Sequence, residues 1–168
     1  MAMTASAMAN AIISEVYRCT DSVDANNRFY RALCNYVEAN AEVFYSWIAT
    51  LPSPPNTPDP MVVIQAKIKT TGSLSPNGET ECIPALNRFS ADLNRNAALW
   101  QIIWPSGFAL TPAFVIPTIH ITPSKATEQN SAMIHVCSEI IAGIKQATMS
   151  AAGTHTSFVG NATFTQIL

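Results

Sequence analysis

The segment LPSPPNTPDPMVVIQAKIKT, residues 51–70, changes character halfway along its length. Its first half, residues 51–60, holds five prolines, which fix φ and remove backbone donors, so it can be neither helix nor central strand. We expect a semi-rigid, extended, proline-rich connector there. In residues 61–70 apolar and polar side chains alternate, which predicts a half-exposed strand with Lys67 and Lys69 on its outer face.

Four further segments have apolar residues at steps of three and four, the spacing of an amphipathic helix. The predicted helices cover about residues 4–18, 24–48, 84–104 and 128–148. The run PAFVIPTIHITP, residues 112–123, predicts a second strand, and Pro117 within it indicates an edge or bulged position.

These elements predict a helix-rich α+β fold, with about four helices, a small antiparallel or mixed β-sheet and the Pro-rich connector. Residues 1–50 are expected to form a helical pair, residues 51–60 the connector and residues 61–168 an α+β remainder, all within one compact domain. A chain of this length buries about 68–70% of its unfolded surface. The almost uncharged C-terminal residues 153–168 predict either a docked strand or an arm that lies on a partner.

Charge density is the most informative feature of the composition. Asp, Glu, Lys and Arg make up 12% of the 168 residues, against about 25% in ordinary soluble domains. Protein interfaces are depleted of charge at their centre, whereas a lone soluble domain needs charge for colloidal stability. The composition therefore favours a homo-oligomer, and the alternative is a monomer kept soluble by neutral polar side chains.

The overall charge also bears on partners. A net charge of −2 and a pI of 5.8 provide no basic field, so nucleic acid is not expected as a principal partner. The N-terminal residues lack the pattern of a signal peptide, and no apolar run approaches the length of a membrane span. We expect the chain to be cytosolic when it is made and to have no membrane span.

Motifs of catalysis and metal binding are missing from the sequence. His120, His135 and His155 belong to no HExxH-type pattern, the four cysteines form no CxxC pair and are expected to be buried thiols, and no phosphate-binding glycine loop occurs. We therefore expect no enzyme activity, no catalytic residues, no cofactor and no metal. The alternative is a monomeric small-ligand binding module or hydrolase with a pocket near Trp100, Trp104 and His120.

The stretch CNYVEANAEV, residues 34–43, lies in the second predicted helix and has an outward side of Asn, Ala and two glutamates. Small residues let a neighbouring helix approach closely, and Asn40 falls where an apolar residue is expected, so it could bond to another element or subunit. Gly143 likewise indicates close approach of a neighbour. The interface candidates are Ala9, Asn35, Ala39, Asn40, Trp47, Gly143, Phe158 and Phe164.

Two segments resemble small structural proteins of tailed bacteriophages. FYRALCNYVEANAEV, residues 29–43, is similar to a helix that precedes a β part in such proteins, and CSEIIAGIKQAT, residues 137–148, is similar to their apolar helices with a central glycine. The resemblance implies a virion component of the tail, baseplate or neck, present in several copies, bound to itself and to other virion proteins. A capsid-associated or decoration protein is the alternative.

Overall fold

A computed structural model describes residues 2–50, 62–76, 78–155 and 158–168. The helices are α1 (Ala5–Val16), α2 (Ser22–Asn40), α3 (Cys82–Ala97) and α4 (Gln129–Ile144). The strands are β1 (Val43–Thr50), β2 (Val62–Lys69), β3 (Gln101–Ile103), β4 (Phe108–Val115), β5 (Thr148–His155) and β6 (Phe158–Ile167). The predicted α+β class with four helices is confirmed, and the predicted connector, residues 51–60, lies outside the described residues.

One six-stranded sheet has the order β3-β2-β1-β6-β5-β4, and neighbouring strands are antiparallel. The C-terminal strand β6 lies between β1 and β5, so of the two alternatives for the chain end the docked strand is correct. Strand β1 pairs with β2 on one side and β6 on the other. Residues 1–50 are therefore not only a helical pair, because their last part forms a central strand.

Three predicted helices are too long in the same way. The helix predicted to residue 48 ends at Asn40, the one predicted to residue 104 ends at Ala97, and the one predicted to residue 148 ends at Ile144. In each case a strand follows within a few residues: β1, β3 and β5. The reason is visible in β1, VFYSWIAT, whose aromatic and β-branched residues also fit a two-residue period and pair on both sides.

Strand β4 is the outermost strand at one end of the sheet and contains Pro112, which such a position tolerates. The predicted edge strand is thus correct in kind but lies earlier than residues 112–123, since Pro117 follows the end of β4. Residues 116–127 instead run without regular structure between β4 and α4.

The core lies between the inner face of the sheet and the helices. Tyr45 of β1, Leu33 of α2, Ile12 of α1 and Ile140 of α4 are all fully buried in one continuous apolar cluster. Burial of the leucine and of each isoleucine side chain contributes about 1.5–3 kcal/mol. Helix α1 packs on both α2 and α4, which places it in the middle of the helical layer.

The irregular segment after β4 is fixed at Ile119, which is 1% exposed. Its N–H donates to Asn94 Oδ1 at 2.6 Å, and Asn94 Nδ2 donates back to the Ile119 carbonyl at 2.9 Å. On the other side, the Ile119 side chain lies against Gly143 of α4. The close approach predicted at Gly143 therefore exists, but the neighbour belongs to the same chain.

We predict that Gly143→Ala destabilises the fold by about 1–3 kcal/mol, as overpacking of a close contact does. The new Cβ would lie 2.8 Å from Ile119 Cγ1, closer than the neighbour can tolerate, and this outweighs a helix-propensity gain of up to about 1 kcal/mol. Denaturant unfolding measures the difference, and Gly78→Ala, where no atom lies within 4 Å of the new Cβ, is the control. Equal stability of the two variants would contradict the prediction.

Candidate assembly surfaces

The strand register separates the sheet into a core-facing and an outward row of side chains. Residues directly opposite each other in an antiparallel pair lie on the same face. Trp47 opposes Ala162, and both are buried, whereas Ile48 opposes Asn161, and both are exposed. The outward row continues across β5, where Ala152 opposes Asn161. The sheet therefore presents a broad outer face that no described element covers.

No Asp, Glu, Lys or Arg occurs in β1, β4, β5 or β6. Their outward side chains are mostly Thr, Ser, Ala, Val and Asn, and we call this row the uncharged sheet face. Among them Ile48, Val115 and Val159 are large apolar side chains with 47%, 56% and 59% of their surface exposed. A monomer usually needs surface charge to stay in solution, so an outer face of four strands without charge is hard to explain for a monomer.

Charges on the sheet are confined to β2, beyond one side of the uncharged sheet face. Lys67 and Lys69 are exposed on its outward side, as the alternation predicts, and β3 follows as a strand of three residues. Lysine on a sheet and a short edge strand both discourage unspecific strand pairing. Charge thus protects this edge of the sheet against pairing with another strand. At the opposite edge, the only such feature of β4 is Pro112.

The helical layer has a different surface, in which charged side chains pair with each other. Arg28 of α2 donates to Asp24 at 2.8 Å and lies 3.7 Å from Glu15 of α1. Hydrogen bonds from Arg28 and from the Thr20 N–H lower the pKa of the Asp24 carboxyl. The ordinary mixed-charge surface of the protein is therefore on the helical side, away from the uncharged sheet face.

Two interface candidates from the sequence lie in the protein's own core, which corrects their assignment. Ala9 is fully buried because α1 packs between α2 and α4, and Trp47 is 5% exposed because it is on the inner face of β1. A small or aromatic residue that recurs at helical spacing indicates close packing. The sequence does not show whether the residue it packs against belongs to the same chain.

The other candidates have varied positions. Asn35 and Ala39 are exposed on α2. Asn40 does not reach across to another element, because its Nδ2 donates to the Tyr36 carbonyl in its own helix at 2.9 Å. Phe164 is half-buried against the core, and Phe158 begins β6, with its side chain outside the described part of the chain.

Trp47 belongs to an aromatic cluster on the inner side of the sheet. Its ring meets Phe108 of β4 edge to face at 5.4 Å, and Phe108 stacks on His155 of β5 at 4.0 Å. Tyr45 meets Trp104 at 4.9 Å, and burial raises the pKa of its hydroxyl, which has no hydrogen-bond partner among the described residues. The cluster connects β1, β4 and β5 on the core-facing side of the sheet, so the outward side chains of these strands take no part in this packing.

The pocket expected near Trp100 and Trp104 exists as a cleft of about 390 Å³ between β3 and β4. Gln101, Leu110 and Phe114 complete most of its lining, whereas His120 does not line it. The Trp100 indole is directed to the Tyr30 hydroxyl at 3.4 Å. Among the described lining residues, Gln101 is therefore the only side chain with both donor and acceptor groups to offer a ligand.

A larger groove of about 440 Å³ lies on the helical side, between α2, α3, α4 and residues 123–126. Phe29 and Phe89 meet edge to face at 4.7 Å in its wall, and Met133 and Val136 of α4 contribute further apolar surface. We call it the helical groove. It has the size of a small-ligand site but few polar groups that would fix the orientation of a ligand.

A polar cluster joins Thr122 to α4. Thr122 donates from its N–H and its hydroxyl to the two carboxylate oxygens of Glu139, each at 2.6 Å, and His135 Nε2 lies 3.2 Å from the hydroxyl. Partial burial opposes ionisation of Glu139, but the Thr122 hydrogen bonds and His135 outweigh it and lower the pKa of the carboxyl. Because Thr122 is bound directly to the carboxylate, the cluster fastens residues 116–127 to α4.

We predict that protonation of Glu139 contributes to the loss of stability of the protein in acid. A lowered pKa in the folded state means that its contribution is present above the ordinary value of 4.5 and is lost as the pH falls through the folded value. Glu139→Gln should lower the free energy of unfolding at pH 7 and reduce its loss between pH 7 and pH 3. Urea unfolding at both pH values measures this.

Glu81→Gln, at an exposed position without a side-chain cap, is the control for this change. If Glu139→Gln and Glu81→Gln both lost as much stability between pH 7 and pH 3 as the unmodified protein does, the hydrogen bonds between the Glu139 carboxylate and Thr122 would not be the cause of that loss.

Cysteines, metal-binding groups and membrane helices add no further site. Cys137 is buried, which raises the pKa of its thiol to about 12, but Cys19 and Cys82 are exposed, so the expectation of buried thiols is wrong for these two. In the described ranges no three His, Cys, Asp or Glu side chains are grouped for a metal. None of the helices in those ranges has the length and hydropathy to cross a bilayer.

Comparisons with protein-family models, with curated proteins and with solved structures find no match. The surfaces themselves are therefore the basis for a functional argument. The sequence prediction missed the most distinctive one, the uncharged sheet face, because it assigned most of β1 to the end of a helix and identified no strand over residues 149–152. The two-residue alternation of VFYSWIAT, residues 43–50, is the signal that could have found it.

Proposed function

We propose that this chain is a non-enzymatic structural subunit of a phage-type virion, a component of the tail, baseplate or neck. It acts through interfaces with copies of itself and with other virion proteins. The observation that carries the proposal is the uncharged sheet face, formed by the outward side chains of β1, β4, β5 and β6.

Charge distribution is the physical argument. The chain has few charges, and several of those on the helical side form pairs, such as Arg28 with Asp24, while four adjacent strands have none. Side chains of Thr, Ser, Ala and Val can be buried in an interface at little desolvation cost, whereas Lys or Glu there would require a partner. A surface of this kind favours a subunit whose final neighbour is protein.

The assignment to a tailed-phage particle rests on the resemblance of residues 29–43 and 137–148 to helices of such structural proteins. In the structure these segments fall mainly on α2 and α4, two helices of the layer behind the sheet. A capsid-associated or decoration protein would use the same kind of interface. A measurement of self-association therefore tests this alternative as well.

A monomeric binding module or hydrolase has weaker support. Such a site needs polar groups that converge on the ligand, and the cleft at Trp100 and Trp104 offers Gln101 with little else among its described lining. The helical groove is larger but mainly apolar. Neither cavity provides an acid, a base and a nucleophile together.

We predict that Ala152→Glu removes the larger assembly while the fold remains intact. Ala152 is exposed in the middle of the uncharged sheet face, and an unpaired charge buried in an interface costs several kcal/mol. A cost of about 3 kcal/mol weakens association about 100-fold. Light scattering over about a hundredfold range of concentration measures the mass, and circular dichroism checks the fold.

Gln65→Glu is the matched control, since Gln65 is exposed on the outward side of β2 beside Lys67 and lies outside the uncharged sheet face. If the unmodified protein remained a monomer throughout, self-assembly would be refuted. If Ala39→Glu on α2 removed assembly and Ala152→Glu did not, the surface predicted from the sequence would be the interface instead.

A further inference from the structure

Residues 122–127 precede α4 and form one wall of the helical groove through Pro123, Ser124 and Ala126. We call residues 122–127 the strap. None of its side chains is buried, since Ser124 is half-buried and the others are exposed. The strap therefore lacks the core packing that fixes Ile119 a few residues earlier, and its position depends on hydrogen bonds.

The hydrogen bonds of the strap converge on Glu139. Among the described residues, the strap bonds to the rest of the chain only through Thr122. The Thr122 N–H and hydroxyl donate to the two carboxylate oxygens of Glu139, each at 2.6 Å, and His135 Nε2 lies 3.2 Å from the Thr122 carbonyl and hydroxyl. The bond from the Ala126 N–H to Ser124 Oγ stays within the strap. One carboxylate thus accepts both donors that hold this wall of the groove.

The ionisation of Glu139 decides whether both bonds can exist. An ionised carboxylate accepts hydrogen bonds at both oxygens, whereas a proton turns one oxygen into a donor and removes the charge that strengthens the other bond. From this geometry we propose that acid releases the strap: Glu139 takes up a proton from water, Thr122 loses its attachment, and the groove opens at Met133 while the rest of the fold stays intact. This is a change within one chain, so it does not depend on assembly.

The charged surroundings of Glu139 determine the pH at which the strap is released. The other titratable groups of α4 and of the elements around it are His135, Cys137 and Lys145, His120, Lys125 and Glu128 before α4, Glu15 on α1, Cys82, Arg88, Asp92 and Arg95 on α3, and Tyr45 and His155 on the inner face of the sheet. Of these groups only His135, 3.6 Å from the carboxylate, affects the pKa of Glu139. A charged His135 favours the ionised carboxylate, so protonation of His135 does not release the strap. Release therefore occurs below the ordinary carboxyl value of 4.5, because the pKa of Glu139 is lowered in the folded protein.

Oxidation of Met133 by hydrogen peroxide measures the opening of the groove. Peroxide converts an accessible thioether to the sulfoxide and is itself reduced to water, and mass spectrometry of peptides gives the rate at each methionine. Met133 is half-buried in the groove, whereas Met8 is fully buried in the core and reports global unfolding. We expect Met133 to be oxidised about fivefold faster at pH 3 than at pH 7, with little change at Met8, because release of the strap exposes the Met133 thioether.

Glu139→Gln imitates the protonated side chain at every pH, since an amide has one acceptor oxygen and cannot accept from both Thr122 donors at separate oxygens. We expect this variant to oxidise Met133 at pH 7 as fast as the unmodified protein does at pH 3, and to show no further rise in acid. Glu81→Gln, which removes an exposed carboxylate at the start of α3, is the control and should behave as the unmodified protein. In NMR spectra, the Thr122 amide proton should titrate with the same midpoint as the oxidation of Met133.

The two methionines and the two variants separate the possible failures. If Glu139→Gln and Glu81→Gln oxidise Met133 equally fast at pH 7, Glu139 does not hold the strap and the proposal is refuted. The comparison at pH 7 also decides the case in which the unmodified protein unfolds at pH 3. If Glu139→Gln accelerates oxidation of Met8 as much as that of Met133, the opening is global and a local release is refuted. A pH dependence that persists in Glu139→Gln would assign the release to another group.

Discussion

The pairing of β1 with β6 is the interaction on which the rest of the structure depends. It joins residues 43–50 to residues 159–167, so two segments far apart in the sequence become neighbours in the centre of one sheet. Two backbone hydrogen bonds between Glu42 and Leu168, at 2.9 and 3.2 Å, continue the pairing beyond the strands. Contacts so distant in sequence carry a large loop-closure cost, which the apolar core must offset before the sheet is stable.

This pairing also fixes which side chains face outward. Because side chains alternate along a strand, a slip of one residue in β1 would expose Tyr45 and Trp47 and bury Ile48. Gly160 helps to set the register, since a Cβ there would lie 2.8 Å from the Trp47 ring and would also meet the Ile48 carbonyl. The inward aromatic cluster thus determines indirectly which side chains form the outer face.

The α+β class, the four helices and the outward lysines of β2 could be predicted because each follows from a local period in the sequence. The apolar residues of β1 and β3 also prolong a helical stripe, and although β1 shows a two-residue alternation, pairing with a neighbouring strand decides between the two periods. Strand β5 has too few large apolar residues for either period to stand out. Ala9 shows the same limit for the interface. A small residue indicates that something packs closely, and only the position of α1 between α2 and α4 shows that the neighbour is internal.

The helical side and the sheet side of the protein have different surfaces, which bears on the assembly that we propose. The helical side has paired charges, an apolar groove and one exposed tyrosine, which suits a small contact of defined geometry. The uncharged sheet face is broad and has small polar side chains together with exposed Ile48, Val115 and Val159, which suits a larger contact stabilised by area and shape. In the assembly that we propose, a contact through the sheet face leaves the helical side uncovered, so further copies or other proteins of the particle can bind there.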